Sequence, residues 1–222
     1  NVISIEFDPR DLYVQSSTDA LGNTTLVTQF DFRVLAPRAM QDINGNLSEA
    51  YFDALGLPTA MAVRGKGDEG DNLTGFDDTL ANPPPVALTD FFTAQRLYNE
   101  AQARLWLGNA TARHVYYFGE TEEKLPDGST VTHWGTHPSC ACGILRETHV
   151  RQLAAGEQSR LQTAFEYSDG LGTVIVKKIQ AEPESAGQPL RWVSNGRTIL
   201  NNKGKPVKQY EPEFSSTGHR YE

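Results

Sequence analysis

The sequence predicts a mainly β protein, with antiparallel strands joined by tight hairpins in one continuous ribbon and a single helical insertion. Two observations predict this fold class. A turn tetrad, Asp-x-x-Gly, recurs through the first sixty residues, and the stretches between tetrads have the length and composition of strands. The one long stretch with helical spacing of apolar residues lies at 90–107.

An aromatic-Asp pair alternates with an Asp-x-x-Gly-Asn box about every 11 residues. The pairs are Phe7-Asp8, Phe30-Asp31 and Phe52-Asp53, and the boxes begin at Asp19 and Asp42. The Asp side chain suits a turn because it accepts hydrogen bonds from backbone N–H groups just after it, and Gly takes the positive φ that other residues resist. Residues 1–63 are therefore predicted to form successive hairpins, with each aromatic filling the space between neighbouring turns.

Residues 64–110 are predicted to be a loop plus a helical insertion. Four glycines and a Pro-Pro-Pro run indicate a long exposed loop over 64–88. A helix follows at 90–107, with Thr89 or Asp90 as N-cap and Gly108-Asn109 as its C-terminal signal. Its apolar stripe comprises Phe91, Ala94, Tyr98, Ala101 and Leu105. Such a stripe is typical of core packing, and a groove for a cofactor or partner is the alternative.

Residues 111–222 return to β structure. The predicted strands are 111–118, 130–134, 143–151, 173–180, 191–193, 197–200 and 207–210. Pro126-Asp127-Gly128 is a hairpin signal, and further turn boxes begin at Asp169 and Asn201. Because the chain has no initiator Met and stops within this pattern, we expect 1–222 to be a single segment of a larger protein.

The charge balance argues against a nucleic-acid partner. The chain has 28 Asp+Glu against 20 Lys+Arg, for a net charge of −8, whereas phosphate binding needs clustered cations. Lys203, Lys205 and Lys208 form the one local cluster, interpreted as a solvated edge, with an acidic partner as the alternative. No apolar run approaches membrane-spanning length, and no signal peptide is recognisable in the chain.

Two clusters have the residue types of metal sites. His133, His137, Cys140 and Cys142 are zinc-type ligands, but Cys-x-Cys is an awkward spacing and both thiols of a strand would point the same way. We therefore favour a buried Cys pair beside surface histidines. The loop Asp68-Glu69-Gly70-Asp71-Asn72, with Asp77-Asp78 beyond it, is rich in oxygen ligands but lacks the alternating series of a calcium loop.

No residue is assigned as catalytic, cofactor-binding or metal-binding, and we expect the protein not to be an enzyme and to need no cofactor. Ser139 with His137 and Cys140 with His149 are weak nucleophile–base alternatives, because closeness in sequence is no evidence for such a pair. Glu120, Glu122 and Glu123 are interpreted as solvated charge. A binding module for glycans or cell surfaces is the alternative function, with Trp134, Trp192, Tyr116 and Tyr117 as its candidate stacking platforms.

The alternation of Phe-Asp with Asp-x-x-Gly-Asn resembles the YD repeat of rearrangement-hotspot (Rhs) proteins. A second set of motifs resembles the B subunit of bacterial insecticidal toxin complexes and its Salmonella virulence-plasmid B-like relatives. These motifs are DALG at 53–56, GDNLTGFD at 70–77, RETH at 146–149, FEYSDGLG at 165–172, KKIQAEP at 177–183, RWV at 191–193 and NNKGKPVKQYEP at 201–212.

This resemblance implies a structural role. In that family, YD-repeat strands wind into a curled sheet that forms a hollow shell around a cytotoxic polypeptide, which is often supplied by a C subunit and delivered by a pore-forming A subunit. The expected partners are therefore the rest of the parent B-type subunit, the C subunit with its cargo and, through the parent, the A subunit. The expected location is extracellular, as part of a secreted toxin complex. None of the family's self-cleavage motif residues occurs here, so no catalytic residue is carried over.

Overall fold

The computed structural model describes residues 2–67, 69–93, 97–135 and 137–221. The first strands are β1 Ser4–Phe7, β2 Val14–Thr18, β3 Thr24–Asp31, β4 Ala36–Gln41, β5 Leu47–Phe52 and β6 Pro58–Arg64. The helices are α1 Asp78–Ala81, α2 Pro85–Thr93 and α3 Glu100–Leu107. The remaining strands are β7 Ala112–Tyr117, β8 Thr121–Lys124, β9 Thr130–His133, β10 Ser139–Arg146, β11 Leu161–Ser168, β12 Val174–Ala181, β13 Arg191–Asn195, β14 Thr198–Leu200, β15 Pro206–Gln209 and β16 Glu213–Phe214. The predicted mainly β, antiparallel fold class is confirmed.

The chain divides into two compact units. Unit 1 comprises Asn1–Asn82, Leu107–Arg113 and Arg146–Arg160. In it, β1 to β6 pair in chain order, each antiparallel to the next, as expected for successive hairpins. The first two residues of β7 extend this ladder, because Ala112 pairs with Met61 and Arg113 with Ala60.

Unit 2 comprises Pro83–Trp106, His114–Leu145 and Leu161–Glu222. Its sheet has the strand order β7, β10, β11, β12, β13, β16, and two hairpins, β8–β9 and β14–β15, form separate two-stranded sheets. Along β11, every second side chain is buried, which places Phe165 and Tyr167 on the core face. There Phe165 contacts Phe91 of α2 and Trp192 of β13, so aromatic rings fill the core of this unit.

The turn boxes have the predicted geometry. In the first box, Oδ1 of Asp19 accepts the N–H groups of Leu21 at 2.8 Å and of Asn23 at 2.9 Å, and Gly22 has a φ of 82°. The side-chain amide of Asn23, followed by the backbone N–H of Asn23, lowers the pKa of Asp19. The same two-bond pattern occurs in the boxes that begin at Asp42, Asp53, Asp169 and Asn201. Each box therefore closes a hairpin with bonds that depend only on local sequence.

Two substitutions of Asp19 distinguish its role as a hydrogen-bond acceptor from its negative charge. We expect Asp19→Asn to keep the two backbone bonds, as Asn201 does in its own box, and to lose only the bond from the Asn23 side-chain amide. Asp19→Ala removes all three bonds and should lower the free energy of unfolding more than Asp19→Asn does. Urea unfolding of both variants checks this, and an equal loss in the two would contradict it.

The aromatic residues of the Phe-Asp pairs differ in their packing. Phe30 stacks on Tyr13 with ring centroids 3.8 Å apart and meets the edge of Phe32 at 5.2 Å, as the repeat predicts. Phe7 is exposed instead, so the prediction is wrong at that position. The reason is that β1 pairs with β2 on one side alone within the described part of the chain, and its aromatic has no neighbouring turn to fill.

The continuous helix predicted at 90–107 is wrong. Helix α2 begins at Pro85, which suits a first helical position because proline needs no hydrogen-bond acceptor, so Thr89 and Asp90 lie inside the helix rather than capping it. Residues 97–99 are not helical, and Ala94 lies outside the described residues. The interruption resets the helical phase, so Ala101 and Leu105 are exposed. The buried face of α3 is formed instead by Ala103, Trp106 and Leu107.

The end of α3 and several neighbouring elements also test the predictions. Gly108 follows α3 with a φ of 52°, as its C-terminal signal predicts.

The strand predicted at 143–151 begins earlier and ends earlier, as β10, and residues 150–152 form a single 3-10 turn. Strand β8 was not predicted, because its Thr-Glu-Glu-Lys sequence lacks β-forming residues beyond its first, and it is the hairpin partner of β9. The loop at 64–88 is not uniformly exposed, since it contains α1, the start of α2 and the fully buried Asp71.

Gly119, between β7 and β8, occupies a position that no other residue fits. Its φ is 76°, and a Cβ atom there would overlap the carbonyl oxygen of His137. We expect Gly119→Ala to lower the free energy of unfolding by roughly 3 kcal/mol, because backbone strain and a backbone clash add. Gly128→Ala is the matched control: Gly128 has a φ of 85° but open space around it, so about 1 kcal/mol is expected. Equal losses in urea unfolding would refute the role of the clash.

Candidate functional site

The four residues weighed as zinc ligands are not arranged as a metal site. Cys140 and Cys142 are buried on one face of β10, which confirms the buried Cys pair, and burial raises the pKa of the Cys140 thiol. The His133 ring is exposed on β9 and pairs with Glu123 at 2.9 Å. Among the described residues, no group of three or more His, Cys, Asp or Glu side chains is arranged to hold a metal ion.

The acidic loop serves the protein's own hydrogen bonds. Asp77 caps α1, with its Oδ1 accepting the N–H groups of Thr79 and Leu80 at 3.0 Å, and the Tyr51 hydroxyl donates to Asp78 at 2.8 Å. Asp68 lies outside the described residues. The carboxylates that suggested calcium therefore act as a helix cap and as a hydrogen-bond acceptor.

Asp71 is the centre of a buried polar cluster in unit 1. Its Oδ2 accepts hydrogen bonds from the Thr111 hydroxyl and from Nδ1 of His149, both at 2.7 Å. Its Oδ1 accepts the backbone N–H of Val150 at 2.8 Å and lies 3.6 Å from Nε of Arg146. Asp71 is fully buried, and the side chain of Arg146 is only 6% exposed. We call these five residues the Asp71 cluster.

The Asp71 cluster joins three stretches of chain that are distant in sequence. Arg146 also donates to the carbonyl oxygens of Ala110 and Gly108, at the turn that follows α3. The loop after β6, the entry to β7 and the exit from β10 are thereby fastened at one point. Both carboxylate oxygens of Asp71 accept hydrogen bonds. This suits a structural role, because a buried carboxylate is stable only when hydrogen bonds or an opposite charge compensate its burial.

A second buried polar cluster lies in unit 2. Lys178 of β12 is fully buried, and its Nζ is 2.7 Å from the Ser194 hydroxyl and 2.8 Å from the Ser215 hydroxyl. His219 lies nearby in the aromatic core, with its Nε2 directed at the carbonyl oxygen of Phe91 at 3.3 Å. Burial lowers the pKa of His219 to about 4, so the ring is neutral at neutral pH.

The remaining sequence candidates are dispersed or buried. Trp192 and Tyr117 are buried and cannot act as exposed stacking platforms, whereas Trp134 is 68% exposed. Glu120 is not solvated charge as predicted: it is buried, and its Oε2 accepts the Phe118 N–H at 2.8 Å.

The two nucleophile–base alternatives gain no support from the geometry. Cys140 is buried, and the Nδ1 atom of His149 is bonded to Asp71. For Ser139 and His137, the structure adds no hydrogen bond between the two side chains. Sequence reasoning missed the Asp71 cluster, although the RETH motif at 146–149 contains two of its members.

The class of fold that these elements define is an antiparallel sheet of hairpins closed by repeated turn boxes and fastened by buried polar clusters. Solved structures of Tc toxins contain this fold. The chain superimposes on a chain of the TcdB2-TccC3-TEV crystal structure with a TM-score of 0.69 and 18% identity, over 98% of this chain and 12% of that one. For TcdB2-TccC3 the values are 0.64 and 21%, over 96% and 10%.

A chain of the Photorhabdus luminescens Tc holotoxin pore matches with a TM-score of 0.64 and 18% identity, over 96% of this chain and 12% of that one. The chain thus spans about a tenth of the length of these solved chains. No protein-family model and no curated protein matches the sequence. No helix in the described part of the chain is long and apolar enough to cross a membrane.

Proposed function

We propose that this chain is a non-catalytic structural segment of a toxin-complex B-type subunit, whose YD-repeat sheet forms a shell around a cytotoxic polypeptide before delivery. The observation that carries the proposal is the fold match over 96–98% of this chain to about a tenth of the Tc toxin chains. Motifs spread from residue 53 to residue 212 resemble the same family and support it independently of the fold.

The surface of unit 1 also supports a role within a larger assembly. Ile3, Ile5 and Phe7 are exposed in and beside β1, where alternation places them on one face of the strand. Apolar side chains in such a row are typical of a surface that another element covers. The partners we propose are the rest of the parent B-type subunit, the C subunit with its cargo and, through the parent, the pore-forming A subunit. The proposed location is the extracellular toxin complex.

The size of the native polypeptide is the first test of this function. An antibody raised against the purified chain should detect a band several times heavier than 24.5 kDa in source cells. A band near 24.5 kDa would rule out a segment of a larger shell.

Protease protection tests the enclosing role itself. In the parent protein, deletion of residues 1–222 should make the cargo sensitive to added protease, because a gap would open in the shell. The unchanged parent digested in parallel gives the protected baseline, and free cargo gives the unprotected limit. Cargo that stays protected after the deletion would refute the proposal.

A further inference from the structure

A pocket of about 530 Å³ opens in unit 1 where the ends of β3 and β5, strand β4 and helix α1 meet. This volume falls within the range of small-molecule sites, about 300–1,000 Å³. Its polar lining consists of Asp31, Arg33, Arg38, Tyr51, Asp78 and Asn82. None of these residues belongs to the Asp71 cluster, so the pocket is a separate feature of the unit.

Arg38 is the donor group of this pocket. Its guanidinium carbon lies 4.5 Å from the centroid of the Tyr51 ring, a distance at which the cation and the ring attract each other. Within the described residues the guanidinium makes no hydrogen bond or ion pair. Arg33 differs, because it donates to the carbonyl oxygens of Phe52 and Asp53 and pairs with Asp31 at 3.6 Å. Arg38 therefore lines the pocket with guanidinium N–H donors that are not used within the described residues.

Asp78 is the acceptor group. The Tyr51 hydroxyl donates to its Oδ1 at 2.8 Å, and within the described residues its Oδ2 accepts no hydrogen bond. Tyr51 thus positions both polar groups, Arg38 at its ring face and Asp78 at its hydroxyl. The Asn82 side chain already makes hydrogen bonds within the protein. Its Oδ1 accepts the N–H of Ala54, and its Nδ2 donates to the carbonyl oxygen of Asp78.

The chemistry of the lining selects the ligand. The charges of the two arginines and the two aspartates cancel. An anionic ligand would be repelled by the carboxylates, and a cationic ligand would be repelled by the guanidinium groups. The N–H donors of Arg38 and the Oδ2 acceptor of Asp78 suit a ligand whose neighbouring groups can each accept and donate a hydrogen bond. Vicinal sugar hydroxyls have this property. From this arrangement we infer that the pocket binds a neutral carbohydrate. The inference rests on the pocket residues and does not depend on the proposed shell function.

Saturation-transfer NMR on the 222-residue chain tests the ligand class. The probes are the methyl glycosides of glucose, galactose, mannose and N-acetylglucosamine, with glucuronic acid and sialic acid as charged counterparts. We expect signal from at least one neutral glycoside and a weaker signal from both acids. Silence from every neutral glycoside, or a preference for the acids, would overturn the inference.

Variants then locate the site, with affinities for the best neutral probe measured by titration. Arg38→Ala should weaken binding at least tenfold, and Arg38→Lys should not restore it, because an ammonium group lacks the planar fork. Tyr51→Phe keeps the ring under Arg38 but releases Asp78, and a three- to tenfold loss is expected. The matched control is Arg191→Ala, since Arg191 also lies over an aromatic ring, Phe214 at 3.9 Å, but in unit 2. An equal loss in the control, with thermal unfolding unchanged in all variants, would also overturn the assignment.

Discussion

Asp71→Ala is expected to lower the free energy of unfolding by about 3–5 kcal/mol, the largest loss of any single substitution considered for this chain. The substitution removes the Asp71 carboxylate from beside the Arg146 side chain, which is only 6% exposed. It also removes the acceptor for the Thr111 hydroxyl and for the Val150 N–H, and an unsatisfied buried donor costs about 1–3 kcal/mol. These losses coincide at one point because the cluster fastens three stretches of chain.

Urea unfolding followed by tryptophan fluorescence measures this effect, with Asp19→Ala as the matched aspartate control. Asp19 makes comparable hydrogen bonds at an exposed turn, so Asp19→Ala should lower the free energy of unfolding much less than Asp71→Ala does. Thr111→Val removes one donor to Asp71 and the acceptor of the Val63 N–H, and its loss should fall between the two. An Asp71→Ala loss no larger than that of Asp19→Ala would show that the cluster does not stabilise the fold.

The stability of unit 2 is expected to decrease as the pH falls from 7 to 4, and His219 is the cause. Burial lowers the pKa of this ring from 6.5 to about 4 in the folded chain. The unfolded state therefore takes up a proton as the pH falls through 6.5, whereas the folded state resists until about pH 4. The contribution of His219 to the free energy of unfolding is fully present above pH 6.5. It is lost progressively between pH 6.5 and pH 4, by roughly 3 kcal/mol in total.

The charged groups around His219 act in the same direction. Arg220 and Lys178 both disfavour a positive ring, and the Tyr167 hydroxyl donates to the backbone carbonyl of His219 rather than to its ring. The turn carboxylates of Asp19 and Asp42 contribute little to the pH dependence in this window. The pKa values of Asp19 and Asp42 lie below the ordinary value of 3.8, so their contributions are lost only at lower pH.

Unfolding free energies measured at intervals from pH 7 to pH 4 check the prediction. His219→Phe keeps an aromatic ring in the core but cannot titrate, so its stability should change little over this range. His133→Gln is measured in parallel as the control for histidine replacement at an exposed position outside the aromatic core. A His219→Phe variant with an unchanged slope would mean that another group carries the pH dependence.

The hairpin ribbon could be predicted from sequence because its determinants are local. The Asp19 box closes with bonds between residues two to four apart, and Gly22 supplies the φ that the turn needs. The alternation along β10 likewise predicts the shared face of Cys140 and Cys142. Helix bounds were predicted less well. The stripe at 90–107 assumed one continuous helix, and an interruption of a few residues moved Leu105 from the buried face to solvent.

The amino-acid sequence by itself determined the fold class, the positions of the turns and the pairing of neighbouring strands, because each of these depends on residues within one hairpin. The tertiary structure alone decided which polar groups that are distant in sequence meet. Asp71 and His149 are 78 positions apart, and Tyr51 and Asp78 are 27 apart, yet each pair shares a hydrogen bond. The energy of a buried carboxylate depends on partners that the folded chain brings to it, and no local pattern encodes those partners.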